Sequence, residues 1–346
     1  MFLSFKCHKA AGKFIIIAIL AVLLAVAAAA LTTGSETVST AAEKSSETDS
    51  YITWAEFNVS FEALDRALNL DIKSQSTETP TGWIDILSCA AVKHGGNLKN
   101  INLSELDKIA EELAGGKTPY EIAGEGSSKY FDYYKEVYEA VLGGFLGYYS
   151  LGIPSDDGDT EWELRYGLKA YSPIAEGFYY SHYDDFGNSR TYGYSRPHLG
   201  NDIMGSTGTP VIAVERGVVE SLGWNQYGGW RIGIRSFDKK RYYYYAHLME
   251  DTPYAAGLKE GDSVTAGDVI GYMGRTGYST EENVSNMQKT HLHFGMQLIF
   301  DESQKESDNE LWIDTYNIVR LLDRHRSTVK RDSESGEYNR VYSIRE

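Results

Sequence analysis

The sequence predicts an α+β multidomain protein: an antiparallel β-sheet-rich domain, a small helical bundle before it, and an N-terminal transmembrane helix before both. Three features of the chain lead there. Residues 14–31 are an apolar run without charge, preceded by Lys6, Lys9 and Lys13. Residues 51–150 fall into stretches of helical periodicity that stop at glycine pairs. From Trp162 onward Tyr and Trp recur, Gly appears every few residues, and alternation replaces the helical spacing.

Taken in order, residues 1–13 read as a cytoplasmic N-terminus, because lysines before an apolar run hold that end inside. Phe14–Leu31 reads as a transmembrane anchor, at the short end of what spans a bilayer. A signal sequence is the alternative, since Ala27–Ala30 offers small residues for cleavage. Both readings put the rest outside the cytoplasm, either single-pass in the cell membrane or secreted. No cysteine closely follows the run, which argues against a lipoprotein anchor. Cys7 and Cys89 fall on opposite sides of it and cannot pair. Residues 32–50, rich in Ser, Thr, Glu and Ala, form a linker with too little apolar surface to order itself.

Residues 51–150 form the helical domain. Val59–Leu70 places Phe61, Leu64, Ala67 and Leu68 on one face, and Trp83–His94 ends at Gly95-Gly96. Asn102 and Glu105 have capping-box spacing. Thr118-Pro119 opens a short helix, and Lys129–Leu142 carries an aromatic stripe before Gly143-Gly144. His94 suits the C-terminal end of a helix dipole. No catalytic motif falls in this part. Residues 151–159 read as an acidic joint. Residues 160–326 form the sheet-rich domain, where Trp230–Arg235 and Arg241–Ala246 make a hairpin across Asp238-Lys239-Lys240. Trp312–His325 reads as helical, and residues 327–346 as a loose polar tail.

Four of the eight histidines lie between Pro197 and Phe294, in three short patterns. His198 and Asp202 are four apart, in a loop entering a short strand. His247 follows Tyr245-Ala246. His291-Leu292-His293 lies in an alternating run, so both imidazoles share one strand face and Leu292 and Phe294 the other. A catalytic zinc has three protein ligands and a water. This stretch supplies His, Asp and His with two histidines to spare. His182 and His325 lack metal spacing and read as structural.

The surroundings of these histidines resemble the lysostaphin-type (LytM-type) zinc endopeptidases of bacterial peptidoglycan, over roughly Tyr171 to Phe300. Arg196–Ile203 resembles the family's first motif, Gly208–Val219 its next strand–turn–strand, and Gly261–Gly271 its glycine-punctuated hairpin. The resemblance implies a LytM-like fold and zinc held by His198, Asp202 and His293. It makes His247 and His291 the catalytic pair, and peptidoglycan peptides the substrate. Tyr192 and Tyr194 are candidates to support the oxyanion. Tyr278–Lys289 departs from the family as a longer polar insertion, expected at the rim of the cleft. The rival expectation is a silent LytM-like scaffold that binds or activates other wall or sporulation proteins.

Against 49 acidic residues stand 33 Lys and Arg, a net charge of −16. Such a field does not hold polyanions, so nucleic acid is not an expected partner. Membrane attachment through the N-terminal helix is the expected means of localisation.

Overall fold

The computed structural model describes residues 51–155, 157–305 and 307–346. The expected cytoplasmic segment 1–13, the anchor or signal sequence 14–31, the linker 32–50 and Cys7 lie outside the described residues. Among the described residues no helix is long and apolar enough to cross a membrane.

The helices form where periodicity and caps agree. Phe61–Ser74 begins after Ser60, whose hydroxyl accepts from Ala63 N at 3.2 Å. It buries Ala63, Leu64, Ala67 and Leu68. Trp83–His94 closes at Gly95, which takes the left-handed conformation (φ 58°) that glycine reaches without strain. Leu103–Ala114 is capped by Asn102, but Glu105 does not complete the expected box. Its carboxylate pairs with His94 Nε2 at 2.8 Å instead. The reciprocal box occurs at Thr118 and Glu121, opening the short helix Pro119–Ala123. Ser128–Leu142 packs on Trp83–His94.

Residues 51–346 form one compact unit. Where the sequence separates a helical domain from a sheet-rich one, a single apolar core runs through both, from Leu64, Leu87 and Val141 to Ile234, Phe294 and Met296. The expected joint at 151–159 lies inside a hairpin, Leu146–Pro154 against Thr160–Leu168. The 327–346 segment is not a loose tail. Ser343–Arg345 pairs antiparallel with Leu146–Pro154, and Ile344 is buried beside Tyr149 and Tyr171. One apolar residue and an available strand edge suffice to order it, because edge backbone groups seek partners. Residues Val329–Arg331 and Tyr338–Arg340 pair with each other. The expected helix at 312–325 is shorter, Tyr316–Leu322, preceded by the strand Leu311–Ile313.

The main sheet is antiparallel. Its strands run in the order Ser263–Val264, Gly217–Asn225, Gly229–Ser236, Arg241–Ala246, His291–Leu298, Asn201–Met204 and Ser181–His182, with Leu311–Ile313 also beside His291–Leu298. The glycine-punctuated stretch Gly261–Gly271 is not a self-paired hairpin. Ser263–Val264 joins Gly217–Asn225, whereas Val269–Tyr272 joins Pro210–Ile212.

Strand alternation divides the sheet into two faces. Leu292, Phe294, Met296 and Leu298, with Tyr243, Tyr245, Ile232 and Ile234, are buried on the core face. Cross-strand register puts His293 opposite Ala246 and Tyr244 opposite Gly295, on the other face. The charged residue Arg241 lies on the core face and is 0% exposed. Its guanidinium bonds Glu215 at 2.7 and 3.0 Å, Asp238 at 2.6 Å, and the carbonyls of Glu139 and Ala140 at 3.3 and 2.7 Å. Those carbonyls belong to the last turn of Ser128–Leu142, where a cation is favoured. This cluster ties the helices to the back of the sheet.

Candidate metal centre and active site

The His291–Leu298 strand forms over the expected residues. Its pairing with Asn201–Met204 sets His293 directly opposite Asp202. His198 arrives from the preceding loop. His198 Nε2 lies 2.8 Å from His293 Nδ1 and 3.1 Å from Asp202 Oδ1, and His293 Nδ1 is 3.5 Å from the same oxygen. Three ligands at about 2.1 Å from a tetrahedral ion stand roughly 3.4 Å apart, so the donors are spaced for one. Asp202 Oδ1 is buried and accepts no hydrogen bond. A buried carboxylate oxygen in that state is costly unless a cation meets it. Gly200 lets the loop close: a Cβ there would stand 2.8 Å from the His293 ring and 2.7 Å from the Phe294 carbonyl oxygen.

The other ring nitrogens are held from behind. His198 Nδ1 lies 3.2 Å from the Asp185 carbonyl oxygen, 3.3 Å from its carboxylate and 3.1 Å from Arg190 Nη2. With its proton donated to Asp185, Nε2 keeps a lone pair for a metal. Arg190 also lies 3.1 Å from Asp202 Oδ2 and bonds the Asp185 carboxylate. Burial alone would lower the His198 pKa. The neighbouring Asp185 and Asp202 carboxylates outweigh it and raise it to about 9, so a metal at Nε2 would displace a proton. Burial opposes ionisation of Asp202, yet the close approach of His198, His293 and His291 holds its pKa well below the usual range.

His247 and His291 stand together, their ring centroids 4.7 Å apart. His291 Nδ1 donates to the Lys289 carbonyl at 2.8 Å, leaving Nε2 3.8 Å from Asp202 Oδ1. His247 Nδ1 donates to the Thr276 carbonyl at 2.7 Å. Burial, with the nearby His291 and His293, pushes its pKa well down, so it stands neutral with Nε2 free to accept a proton. Its backbone is left-handed (φ 60°), which a non-glycine residue resists. Hydrogen bonds from His247 N to Gly228 O and from Gly274 N to His247 O hold it there.

All five expected metal and catalytic residues therefore line one cleft of about 240 Å³. Tyr192 stacks on Tyr278, centroids 5.0 Å apart, and the Tyr278 ring meets His247 edge-on at 6.0 Å. Tyr194 is exposed and lines a neighbouring groove that also reaches His293. His182 Nε2 instead contacts the Tyr316 carbonyl, and His325 stacks on Tyr171 at 3.9 Å. Within the Tyr278–Lys289 insertion, Tyr278 and Met287 line the cleft. Asn283 pins the loop, accepting from Trp230 Nε1 and Asp251 N at 2.8 Å each. Asp185 and Arg190 went unrecognised in the sequence, because no spacing to His198 marks them. Only the approach of the Ser189–Tyr192 hairpin brings Arg190 to the site.

A His–Asp–His donor set beside two oriented histidines is the constellation of a catalytic metal site. Residues 196–307, about a third of the chain, match the model of Peptidase family M23, and M23 peptidases are zinc metallopeptidases. The chain is 37% identical to the L-Ala–D-Glu endopeptidase of Bacillus subtilis over 153 residues, 44% of this chain and 43% of that one. To lysostaphin of Staphylococcus staphylolyticus it is 39% identical over 98 residues, 28% of this chain and 18% of that one. It spans less than half the length of these curated relatives. A crystal structure of a LytM from Ruminococcus gnavus aligns at 25% identity and TM-score 0.48, covering 80% of this chain and 92% of that one.

Proposed function

We propose that this chain is a zinc endopeptidase that hydrolyses peptide bonds of peptidoglycan, in stem peptides or cross-bridges, and so remodels the cell wall. The observation that carries the reading is the convergence of His198, Asp202 and His293 on one point, with His247 and His291 oriented beside it. The similarity to an L-Ala–D-Glu endopeptidase and to a glycyl-glycine endopeptidase of Staphylococcus capitis supports the substrate class. A silent scaffold would have no use for two further histidines held by their Nδ1 atoms.

His198, Asp202 and His293 would hold the ion. Zinc there supplies a water acidified to a pKa of about 7 and polarises the scissile carbonyl. His291 or His247 would accept the water's proton at Nε2, since each Nδ1 is committed to a backbone carbonyl. The same pair, once protonated, donates to the oxyanion and then to the leaving amine. Tyr192 reaches the cleft through its stack on Tyr278 and belongs to the wall behind this pair. Export and tethering through residues 14–31, or secretion after their removal, belong to the same proposal. They are supported by the lysines that precede the apolar run.

Mass spectrometry of purified muropeptides incubated with the zinc-loaded chain tests the reading. New peptide termini are expected, and an unaltered digest would sink it. The Tyr278–Lys289 loop forms part of the rim. Replacing residues 281–288 with a short Gly/Ser turn should preserve zinc while shifting which muropeptides are cut. An identical product profile at an identical rate would return the loop to a bystander role.

A further inference from the structure

We infer that the groove beside the metal centre is a carboxylate-binding subsite, in which Arg196 and Arg231 select substrates carrying an acidic group next to the cleaved bond. The inference rests on the peptidase reading above.

The groove, about 540 Å³, is larger than the cleft and shares Arg196, Tyr227, Tyr244 and His293 with it. A peptide passing from one to the other crosses His293. Its floor is the solvent-side face of the sheet, where Arg231, Tyr244 and His293 follow the same alternation. Glycine keeps that floor low. A Cβ on Gly295 would stand 2.8 Å from both the Trp312 ring and the Leu199 carbonyl oxygen.

The charge at the groove is what singles it out. Among the described residues the two buried arginines are neutralised, Arg241 by Glu215 and Arg235 by Glu302, whereas Arg196 and Arg231 are half-buried. Among the described residues neither Arg196 nor Arg231 has a carboxylate partner. The Arg196 guanidinium lies 4.8 Å from the Tyr227 centroid and 5.7 Å from that of Tyr278. Arg231 Nη1 donates to Ser221 Oγ at 3.1 Å. The Nε atom of each is buried without a partner. Stacking on aromatic faces accounts for the position of Arg196, and of its in-plane donors Nη2 reaches the Tyr278 hydroxyl at 3.5 Å while Nε has no partner. A guanidinium presents its in-plane donors as a fork, which a carboxylate fits. The groove's own acid is committed elsewhere: Glu310 accepts from Trp312 Nε1 at 2.7 Å. Lys305, the third cation, is tied to Glu220 at 2.6 Å. Both guanidiniums have neutral partners but no counter-charge among the described residues, which leaves them to an acid from outside. A run of glycines carries no side-chain carboxylate, so the subsite favours an acidic stem peptide over a glycine bridge.

The test is calorimetric titration of the zinc-loaded full chain with Ala-Glu-Ala-Ala and Ala-Gln-Ala-Ala, each with a free and an amidated C-terminus. The peptide with both carboxylates should bind about tenfold or more tighter than the one with neither. Arg231→Gln should erase that difference and Arg231→Lys should keep part of it. Arg196→Gln replaces the first variant if that one does not fold. The single neutralisation that abolishes the gain tells whether the side chain or the C-terminus supplies the carboxylate, and either result supports the subsite. Equal binding of all four peptides, unchanged by Arg231→Gln, overturns it. Cleavage of the same peptides and of muropeptides is followed separately. Discrimination without any cleavage leaves the subsite standing and removes the peptidase reading. Cleavage without discrimination does the reverse.

Discussion

Two buried polar clusters sit on opposite faces of the same strands, and they are finished differently. On the core face all five N–H donors of Arg241 are used, by Glu215, Asp238 and two helix carbonyls, and Tyr243 adds a bond at 2.6 Å to Glu215. On the other face, Asp202 Oδ1 is buried beside three histidine nitrogens and accepts no hydrogen bond. The first cluster is complete within the chain, so it holds the fold together. The second is incomplete within the chain, so it needs a cation. Saturation of donors and acceptors is what distinguishes these two clusters, since both are buried and charged.

Breaking the open cluster should produce the largest effect, and on function alone. His293→Ala should abolish bound zinc and turnover. His291→Ala should keep zinc and lose turnover by about a hundredfold or more. Metal analysis and peptide cleavage on the two purified variants decide it, and equal zinc loss in both would contradict their unequal roles. Breaking the closed cluster should act on stability instead. Glu215→Ala leaves Arg241 buried with only Asp238 as counter-charge and should cost about 3 kcal/mol in urea unfolding. Zinc content per folded molecule should be unchanged, and a parallel loss of zinc would dissolve the distinction.

Arg190 sharpens the comparison, since it borders the open cluster without closing it. Arg190→Gln should weaken zinc binding by about tenfold, because it releases the Asp185 and Asp202 carboxylates that orient His198. Competition with a chelator measures this, and an unaltered zinc affinity would make Arg190 a bystander. The smallest effect concerns His325, a buried histidine outside both clusters. Burial lowers its pKa in the folded chain. The unfolded chain therefore takes up a proton that the folded one refuses as pH falls through about 6.5. The stability His325 contributes is present above that pH and lost below it. His325→Phe, which can still stack on Tyr171, should show a shallower fall in Tm between pH 7.5 and 5.5 than the parent chain. An equally steep fall would place the acid sensitivity elsewhere.

Much of the site could be read directly because its key distances are local. A two-residue spacing on a strand sets His291 and His293 on one face whatever the rest of the chain does. The same alternation sends Leu292 and Phe294 to the core. Caps at Asn102 and Thr118 and the glycine stop at Gly95 are likewise written within a few residues, whereas the helix expected from Val59 begins after a cap at Ser60. Where pairing is distant, local signals misled. Gly261–Gly271 looked like a hairpin, yet its two strands take different partners. The polar 343–345 segment carries one buried residue, and only the open edge at Leu146–Pro154 makes it a strand.

The sequence by itself determined the strand that carries two of the five site residues, and where several helices begin and stop. Both depend on backbone periodicities and caps that act over less than a dozen residues. Only the tertiary structure decided that Arg190 and Asp185 stand behind His198, that helices and sheet share one core through Arg241, and that Arg196 and Arg231 meet no carboxylate among the described residues beside His293. Those outcomes depend on which distant strands pair and in which register, and a charge finds or lacks its partner only once that pairing exists.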